Sequence, residues 1–396
     1  MSKGTARMAP VGDLSGVIAA CFSCQFNDNG HRNQISVVFS STWFEPVTLI
    51  SASIALLVTV LFMLALRPLA SSIDLVDRPG GHKSHVGDVP IIGGIAMYLG
   101  ASVGLILLAN LDSSSYYLLL AGGLLVFIGL LDDKFSLPAS IRMVAQVVAV
   151  LIMVFGAGLI MRDIGDPLWM GTLRLGFLAL PITALIFVTV INAFNLVDGV
   201  DGLAGSLAII ALLGIAGVAG VGSPAFAMAV VFTAVVAGYL VFNFPTGNMR
   251  PYRAFMGDSG STFIGLAVVW LTVSICQGSA RQISPVTGLW FAALPLYDLF
   301  TCFSRRIAKG KSPFKSGVDH FHHVLLRAGM TVREVVGTLA MLQLFYVGFA
   351  VVTHFAGVSE PIVFTAWAVV GIGQFMIIRG CAAIFERHFA SRRVPT

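Results

Sequence analysis

The sequence predicts an all-α membrane protein with about eleven transmembrane helices, and three observations support this class. Hydrophobic residues make up 57% of the chain and charged residues only 11%, with a mean hydropathy of +0.90. Soluble domains carry roughly 25% charged residues. After Pro46, apolar runs recur at close to the length of roughly 20 residues that a bilayer requires. Polar residues gather between these runs, so the chain reads as a multi-pass bundle.

The predicted spans follow an N-terminal segment, residues 1–46, whose role the sequence does not indicate. The apolar run at residues 17–22 within it is too short to cross a membrane. Residues 47–380 form the predicted transmembrane domain, and residues 381–396 form a basic cytoplasmic tail. The predicted spans are 47–66, 91–109, 116–131, 143–161, 177–194, 203–220, 226–243, 261–277, 284–302, 335–354 and 361–380.

The distribution of Lys and Arg predicts the orientation of these spans. With the N-terminus outside, 18 of the 24 basic residues fall in cytoplasmic segments and 6 in outer segments. Because an excess of Lys and Arg marks cytoplasmic loops, we predict an outer N-terminus and a cytoplasmic C-terminus. Every unusual polar cluster then lies on the cytoplasmic face. The net charge of +5 reflects this bias, and we expect no nucleic-acid partner.

The polar stretch at residues 192–206, NAFNLVDGVDGLAGS, lies between two apolar spans. Its polar side chains recur every three residues, which on a helix predicts one slowly drifting stripe: Asn192, Asn195, Asp198 and Asp201. Glycines at 199, 202 and 205 keep the same interval and predict a bare face for close approach. Polar side chains at a membrane boundary are costly unless they function. Carboxylates, amides and glycines at a helix end suit a metal ion and phosphates.

A pair of acids, Asp132 and Asp133, ends the third predicted span. A solvated pair at a helix end is the plain alternative, but a helix C-terminus favours cations over two anions. Adjacent side chains on a helix point about 100° apart, so the two carboxylates need not share a task. One can face a metal or substrate while the other accepts a hydrogen bond or salt bridge.

The segment FMGDSGS, residues 255–261, directly precedes the eighth predicted span. Asp258, Ser259 and Ser261 occupy positions typical of helix N-caps. The flanking glycines also open the backbone, as an anion or metal site requires. Asp258 is therefore a candidate to join Asn195 as an oxygen ligand of Mg²⁺, an ion that takes one or two carboxylates and completes its shell with phosphate and water oxygens.

The longest predicted cytoplasmic connection, residues 301–331, carries Arg305, Arg306, three lysines and the run DHFHH at 319–323. Basic residues near a membrane also bind anionic lipid head groups. Three histidines suggest zinc, but no Cys is near in sequence and the spacing lacks a zinc-binding pattern. The five cysteines include one CxxC, Cys21–Cys24, without a second pair. Arg and His side chains that line a diphosphate, with histidines titrating near neutral pH, fit an anionic substrate better.

Together these motifs resemble the polyprenyl-phosphate N-acetylhexosamine-1-phosphate transferases. The matching segments are LDDKF (131–135), NAFNLVDGVDGLAGS (192–206), FMGDSGS (255–261), RRIAKGKSPF (305–314) and DHFHHVLLRAGMT (319–331). The resemblance covers residues from about 47 to 380. It implies that a polyprenyl phosphate attacks the β-phosphorus of a UDP-amino sugar and releases UMP. The implied location is the bacterial inner membrane, among membrane lipids, and a homodimer is left open.

The resemblance also implies roles for individual residues. Asn195 and Asp258 correspond to the ligands of Mg²⁺, for which Mn²⁺ is an alternative. Asp132 and Asp133 correspond to the acids that position or deprotonate the lipid phosphate. Asp198 and Asp201 correspond to the acids on the nucleotide side, and Phe255 to the aromatic residue that stacks on uracil. His323 is a further candidate catalytic residue. The remaining candidate substrate-binding residues are Asn192, Arg142, Arg305, Arg306, His320 and His322, and we expect the basic loop with its histidines to cover the sugar diphosphate. Arg142 falls where many members have Lys, which keeps the charge but changes the contact geometry.

Three alternatives remain beside this reading. The HFHH run is closer to the HxHH of the GlcNAc-1-phosphate branch than to the three consecutive histidines of the phospho-MurNAc-pentapeptide branch, so UDP-GlcNAc with undecaprenyl phosphate is the expected pair. A proton-coupled transporter would place its acids near the membrane midplane. A non-catalytic scaffold would not require so many Asn and Asp at one interface. The residues do not decide between direct attack and a covalent aspartyl intermediate.

Overall fold

The computed structural model describes residues 46–78, 87–108, 113–245, 252–278, 281–308, 310 and 320–390. Most of the predicted N-terminal segment, with the Cys21–Cys24 pair, lies outside these ranges. Within them the α-helices are Pro46–Ser72 (α1), Gly93–Leu107 (α2), Ser113–Phe135 (α3), Ala139–Ala157 (α4), Ala179–Val197 (α5), Leu203–Ala219 (α6), Pro224–Asn243 (α7), Gly257–Cys276 (α8), Pro285–Gly288 (α9), Ala293–Ala308 (α10), Phe321–Arg327 (α11), Val332–Phe355 (α12) and Glu360–Ala390 (α13).

All eleven predicted spans coincide with helices, and the all-α polytopic class is confirmed. In the described part of the chain, nine helical stretches are long and apolar enough to cross a membrane, while α2 and α6 are shorter, with 15 and 17 residues. The ninth predicted span comprises α9, a 3-10 turn at Leu289–Ala292 and α10. The number of membrane crossings and the orientation stay predictions.

Several helices run further than the apolar pattern predicts, and α3 and α13 are two of them. α3 has 23 residues rather than the 16 of the predicted third span, and it carries Asp132 and Asp133 in its last turn. α13 continues to Ala390, past the predicted end of the last span at residue 380. Residues 381–390 contain no Gly or Pro to stop the helix, whereas polarity alone suggested a tail.

The enclosed helix at the centre of the bundle is α8. It packs against α2, α3 and α5, and side chains along its length are buried, with Leu266, Val268 and Leu271 fully excluded from solvent. By contrast, α1 and α4 expose apolar side chains such as Leu57 and Val144 on their outer faces. A helix that is apolar all round is stable when other helices surround it. The N-terminus of α8 therefore meets residues from several neighbouring helices.

A small sheet and a strand-like contact fix the segment that leads into α8. Val76–Asp77 (β1) pairs antiparallel with Val89–Pro90 (β2). The Phe255 N–H donates to the Pro90 carbonyl at 2.8 Å, and the Gly93 N–H donates to the Phe255 carbonyl at 2.9 Å. These bonds hold the start of α8 against the start of α2, although the two are distant in sequence.

Candidate active site

The polar stretch at 192–206 is a helix break, not one continuous helix. α5 ends at Val197, Asp198 is its C-cap, and Gly202 begins α6 with φ +79°. This left-handed conformation is the one that glycine adopts without strain. The expected single stripe is therefore wrong for Asp201, which lies in the turn. The expected shared glycine face is also wrong, because Gly199 faces His322 whereas Gly205 faces Leu240.

Four side chains from four helices meet at the end of α5, and we call them the carboxylate cluster: Asp132, Arg142, Asn195 and Asp258. The Asn195 Nδ2 donates to Asp258 Oδ1 at 2.7 Å and to Ser261 Oγ at 2.9 Å. The Arg142 Nη1 lies 3.0 Å from both Asp132 Oδ2 and Asp258 Oδ2. The guanidinium thus bridges two carboxylates, and the predicted metal ligands Asn195 and Asp258 lie side by side.

Asp133 performs a different task from its neighbour, because it caps α8. Its carboxylate accepts the Asp258 N–H at 2.8 Å, the Ser259 hydroxyl at 3.1 Å and the Ser259 N–H at 3.4 Å. Gly257 makes room for this contact, since a Cβ at that position would lie 2.4 Å from Asp133 Oδ2. The expectation that Asp258, Ser259 or Ser261 caps its own helix is wrong. The N-cap residue is Met256, which makes no side-chain cap, so the acceptor comes from α3.

A cleft that is open to solvent lies beside the carboxylate cluster, between α3, α4, α5 and α8, with about 330 Å³ of empty space including the solvent at its mouth. Leu125 and Ile128 form part of its apolar wall, while Arg142, Asn195 and Asp258 form part of its polar wall. The predicted substrate residue Asn192 also lines it. The Asn192 Nδ2 donates to Gln146 Oε1 at 2.6 Å and to the Val188 carbonyl at 2.7 Å. The amide pair joins α4 to α5, so this wall of the cleft is held in a fixed position.

Asp198 lies between the carboxylate cluster and the next group of polar residues. Its side chain is half-buried at the end of α5. Desolvation raises its pKa well above the usual range, and the nearby carboxylates of Asp258, Asp133 and Asp201 add to the shift. A carboxyl group that holds its proton more firmly than usual, next to other acids, is suited to exchange a proton or to respond to a bound cation.

A second group, which we call the Arg253 cluster, consists of Asp201, Asn243, Arg253 and Phe255. The Arg253 Nη2 pairs with Asp201 Oδ2 at 2.5 Å, and its guanidinium carbon lies 4.9 Å from the centroid of the Phe255 ring. Asn243 accepts the Gly202 N–H at 2.7 Å and donates to the Ala254 carbonyl at 2.9 Å. The turn after α5 and the segment before α8 are therefore clamped together, and Arg253 contacts both Asp201 and Phe255.

The histidine motif forms a third group around Asp298 of α10. The Asp298 carboxylate accepts the Phe321 N–H at 2.7 Å, and its other oxygen lies 2.8 Å from His320 Nδ1. Cys302 Sγ lies 3.3 Å from the same nitrogen, and all three side chains are buried. The expectation that no cysteine is near the histidines is therefore wrong in space. The bonds from His320 and Phe321 to Asp298 account for this group, and they anchor the start of α11.

His322 links the histidine motif to the acidic turn. Its ring stacks on His320 at a centroid distance of 5.6 Å and contacts His323 at 4.2 Å. Its Nε2 lies against Gly199, where a Cβ would come within 2.5 Å. Burial lowers the pKa of His322 to about 3, and the neighbouring His323 contributes. The expectation of titration near neutral pH is therefore wrong for His322, which is neutral at pH 7.

The paired arginines lie in the last turn of α10. Arg306 is 5% exposed, whereas Arg305 is half-buried. Residues 309 and 311–319, which include the lysines of the predicted basic connection, lie outside the described residues. The structure thus brings His322 to the acidic turn, with His320 and His323 packed against its ring. The paired arginines lie at the end of α10.

Sequence reasoning missed four residues that shape the site: Gln146, Asn243, Arg253 and Asp298 as the anchor of α11. An amide within an apolar helix is a usable signal, because buried polar groups require partners. Gln146 and Asn243 both satisfy this criterion, with 4% exposure each. Arg253 and Asp298 gave only their charge as a signal, and their partners lie far away in sequence.

The residues of the carboxylate cluster fit a hard divalent cation. Its potential ligands are the carboxylate oxygens of Asp132 and Asp258 and the amide oxygen of Asn195, and Mg²⁺ takes oxygen ligands. A cationic group, the Arg142 guanidinium, already lies between the two carboxylates. A half-turn of the Asn195 amide would turn its oxygen towards Asp258. Asp133 is engaged by α8 on both oxygens and is not part of this donor set.

Fold and site together define a polytopic membrane protein whose helix ends assemble acids, amides and arginines of the kind that bind metal and phosphate. The profile of glycosyl transferase family 4 matches residues 115–276. Three relatives are named undecaprenyl-phosphate alpha-N-acetylglucosaminyl 1-phosphate transferase. The protein of Yersinia pestis is 37% identical over 72% of this chain and 80% of its own length.

The protein of Escherichia coli K12 is 38% identical over 76% of this chain and 83% of its own length. That of Haemophilus influenzae is 32% identical over 72% of this chain and 81% of its own. The chain belongs to this family of membrane transferases. The resemblance inferred from the five motifs is confirmed.

Proposed function

We propose that this protein transfers GlcNAc-1-phosphate from UDP-GlcNAc to undecaprenyl phosphate and releases UMP. The observation that carries the proposal is the carboxylate cluster beside a cleft whose other wall is apolar. Such a cleft suits a lipid phosphate on one side and a nucleotide diphosphate on the other. The names of the relatives support the same pair of substrates. They favour this reading over the MurNAc-pentapeptide and transporter alternatives.

In this proposal the acceptor phosphate binds at Arg142. The Arg142 side chain is 38% exposed, whereas that of Asp132 is only 6% exposed, so the guanidinium is the more accessible group. A phosphate monoester has a second pKa near 6 and is largely dianionic at pH 7. A general base therefore adds little, and Asp132 serves to orient Arg142. Direct attack by the lipid phosphate is the simpler course.

Asp258 and Asn195 would hold Mg²⁺ or Mn²⁺ against the donor diphosphate. A bound divalent cation would supply charge stabilisation for the departing UMP. Asp133 contributes indirectly, because it fixes the first turn of α8 and with it the position of Asp258. Asp198, with its raised pKa, lies where it can face both the metal side and the nucleotide side.

The donor nucleotide is assigned to the turn after α5, which carries Asp201, and to Phe255. Asn192 is assigned to substrate binding in the cleft beside Arg142. The sugar diphosphate is covered by the histidine motif, His320, His322 and His323, together with Arg305 and Arg306. His322 acts as a neutral group that donates or accepts hydrogen bonds, because burial lowers its pKa. In this proposal the reaction takes place at the cytoplasmic face of the bacterial inner membrane.

Purified protein in nanodiscs tests the proposal with a panel of donors. UDP-GlcNAc with undecaprenyl phosphate should yield UMP and a lipid-linked sugar, whereas UDP-MurNAc-pentapeptide should yield neither. Proteoliposomes without the acceptor lipid serve as the control for transport. Uptake of the nucleotide sugar without UMP release would contradict the transferase reading and support the transporter.

A further inference from the structure

We propose that Arg253 recognises the uracil ring of the donor, as a partner of Asp201 on the face of Phe255. The inference rests on the proposed function, because it takes the ligand of this cluster to be a UDP-sugar. It adds a residue that neither the motif comparison nor the polar pattern of the sequence singled out. Its basis is the position and the charge balance of the guanidinium.

The guanidinium of Arg253 lies between an acid and an aromatic ring. Its Nη2 is 2.5 Å from Asp201 Oδ2, and its central carbon is 4.9 Å from the Phe255 ring centroid. The side chain is 31% exposed, so part of it remains open to a ligand. Arginine stacks on planar groups and presents its donors in a fixed fork. A base that approaches this face of Phe255 would therefore contact Arg253.

The charge balance favours a neutral heterocycle over a phosphate as the partner. Asp201 already neutralises Arg253, so the pair offers little net charge to an anion. It offers a hydrogen-bond donor beside an acceptor. Uracil presents the complement along one edge, since O4 accepts and N3–H donates. Cytosine reverses both groups, with an amino donor at position 4 and an acceptor at N3, so the same pair disfavours it.

One atom of Arg253 lacks the partner that burial requires. Among the described residues, its Nε is buried and has no hydrogen-bond partner. Unpaired buried donors are uncommon and costly. A small displacement of the guanidinium on binding a base would let this donor pair. The observation fits a side chain whose hydrogen bonds are completed by a ligand.

The backbone around Arg253 is held on both sides, which makes the side chain a defined recognition element. The Arg67 Nη1 donates to the Arg253 carbonyl at 3.0 Å. Asn243 binds the Ala254 carbonyl, and the Phe255 N–H binds the Pro90 carbonyl at 2.8 Å. The guanidinium therefore starts from a fixed point over the Phe255 ring.

The test compares binding of UMP and CMP to the purified protein by calorimetry, so that it does not depend on turnover. Arg253→Ala should weaken UMP binding roughly 10- to 100-fold and leave CMP binding nearly unchanged, because a hydrogen bond from a charged group is lost only with uracil. Arg253→Lys should lose most of the preference, because a point charge cannot reproduce the fork. Arg333→Ala is the matched control, since its Nε only binds the Pro245 carbonyl at an exposed position.

Kinetics with each substrate varied in turn provide a second readout. Arg253→Ala should raise KM for UDP-GlcNAc by the same factor and leave KM for undecaprenyl phosphate unchanged. Equal loss of UMP and CMP binding in Arg253→Ala would overturn the proposal. If ribose 5-phosphate, which lacks a base, inhibits the wild type and this inhibition weakens as much as UMP binding does in the variant, that result would also overturn it. Either outcome would assign Arg253 to phosphate binding or to the structure. A wild type that binds UMP no better than CMP would also overturn it. If the wild type prefers UMP but transfers no sugar, the proposed function fails while the assignment of Arg253 stands.

Discussion

Replacing Asp133 separates the structural role of this acid from a chemical one. Its carboxylate receives three hydrogen bonds from the first turn of α8. Loss of an N-terminal cap costs about 0.5–2 kcal/mol. An anion at a helix N-terminus adds about 0.3–1 kcal/mol. Asp133→Ala should therefore destabilise the protein by about 1–3 kcal/mol and displace Asp258.

Asp133→Asn should be milder, because an amide keeps one acceptor oxygen and Asn caps helices nearly as well as Asp. The expected loss is about 0.3–1 kcal/mol, from the charge alone. Turnover should fall strongly in the Ala variant and modestly in the Asn variant. The ranking of activity should thus follow the ranking of stability.

The assay is thermal unfolding of each purified variant in the same detergent, together with UMP release in nanodiscs. Asp166→Asn is a matched control, because Asp166 accepts the Met170 N–H at 3.0 Å in a loop remote in sequence from α8. The reasoning would be refuted if Asp133→Asn abolished turnover while the unfolding temperature stayed at the wild-type value. That result would return Asp133 to the chemistry of the lipid phosphate.

Three further predictions concern the metal, pH and topology. Asp258→Asn and Asn195→Ala should each shift the Mg²⁺ midpoint of UMP release upwards; an unchanged midpoint in both would contradict the ligand assignment. Burial lowers the pKa of His322 from 6.5 to about 3, so between these pH values the unfolded chain binds a proton that the folded chain does not. The free energy of unfolding should therefore drop by about 1.4 kcal/mol for each unit by which the pH falls from 6.5 towards 3, and His322→Gln should remove this contribution; an unchanged pH dependence in that variant would contradict the assignment. In a cysteine-free background, an impermeant thiol reagent should label Ser359→Cys from outside and Ser140→Cys only after permeabilisation; the reverse pattern would invert the topology.

The apolar runs predicted the helices well, because burial in a bilayer imposes a minimum length on each run. Polarity placed the end of α3 too early, since Asp132 and Asp133 continue the helix into the site. The interval of three in the 192–206 stretch was read as helical, yet α5 ends at Val197 and Gly202, with a positive φ, begins a new helix. The spacing of the polar residues alone does not reveal this break.

The sequence predicted which residues lie near one another better than it predicted the contacts between them. Asn195 and Asp258 lie together as expected, and one acid of the Asp132–Asp133 pair takes hydrogen bonds while the other meets a cation. The choice of Asp133 as the cap of α8, and of Asp298 as the anchor of His320, depends on contacts between distant segments. The lowered pKa of His322 has the same origin, because burial is set by the packing of α11 and not by its sequence.

The position of a phosphorus label tests the central claim most directly. UDP-GlcNAc labelled at the β-phosphate, incubated with the purified protein and undecaprenyl phosphate, should pass its label to the lipid, whereas label at the α-phosphate should remain in UMP. The same transfer should be lost in Asp258→Asn. Label from the α-phosphate in the lipid, or sugar in the lipid without either phosphate, would contradict transfer of a sugar 1-phosphate by this site.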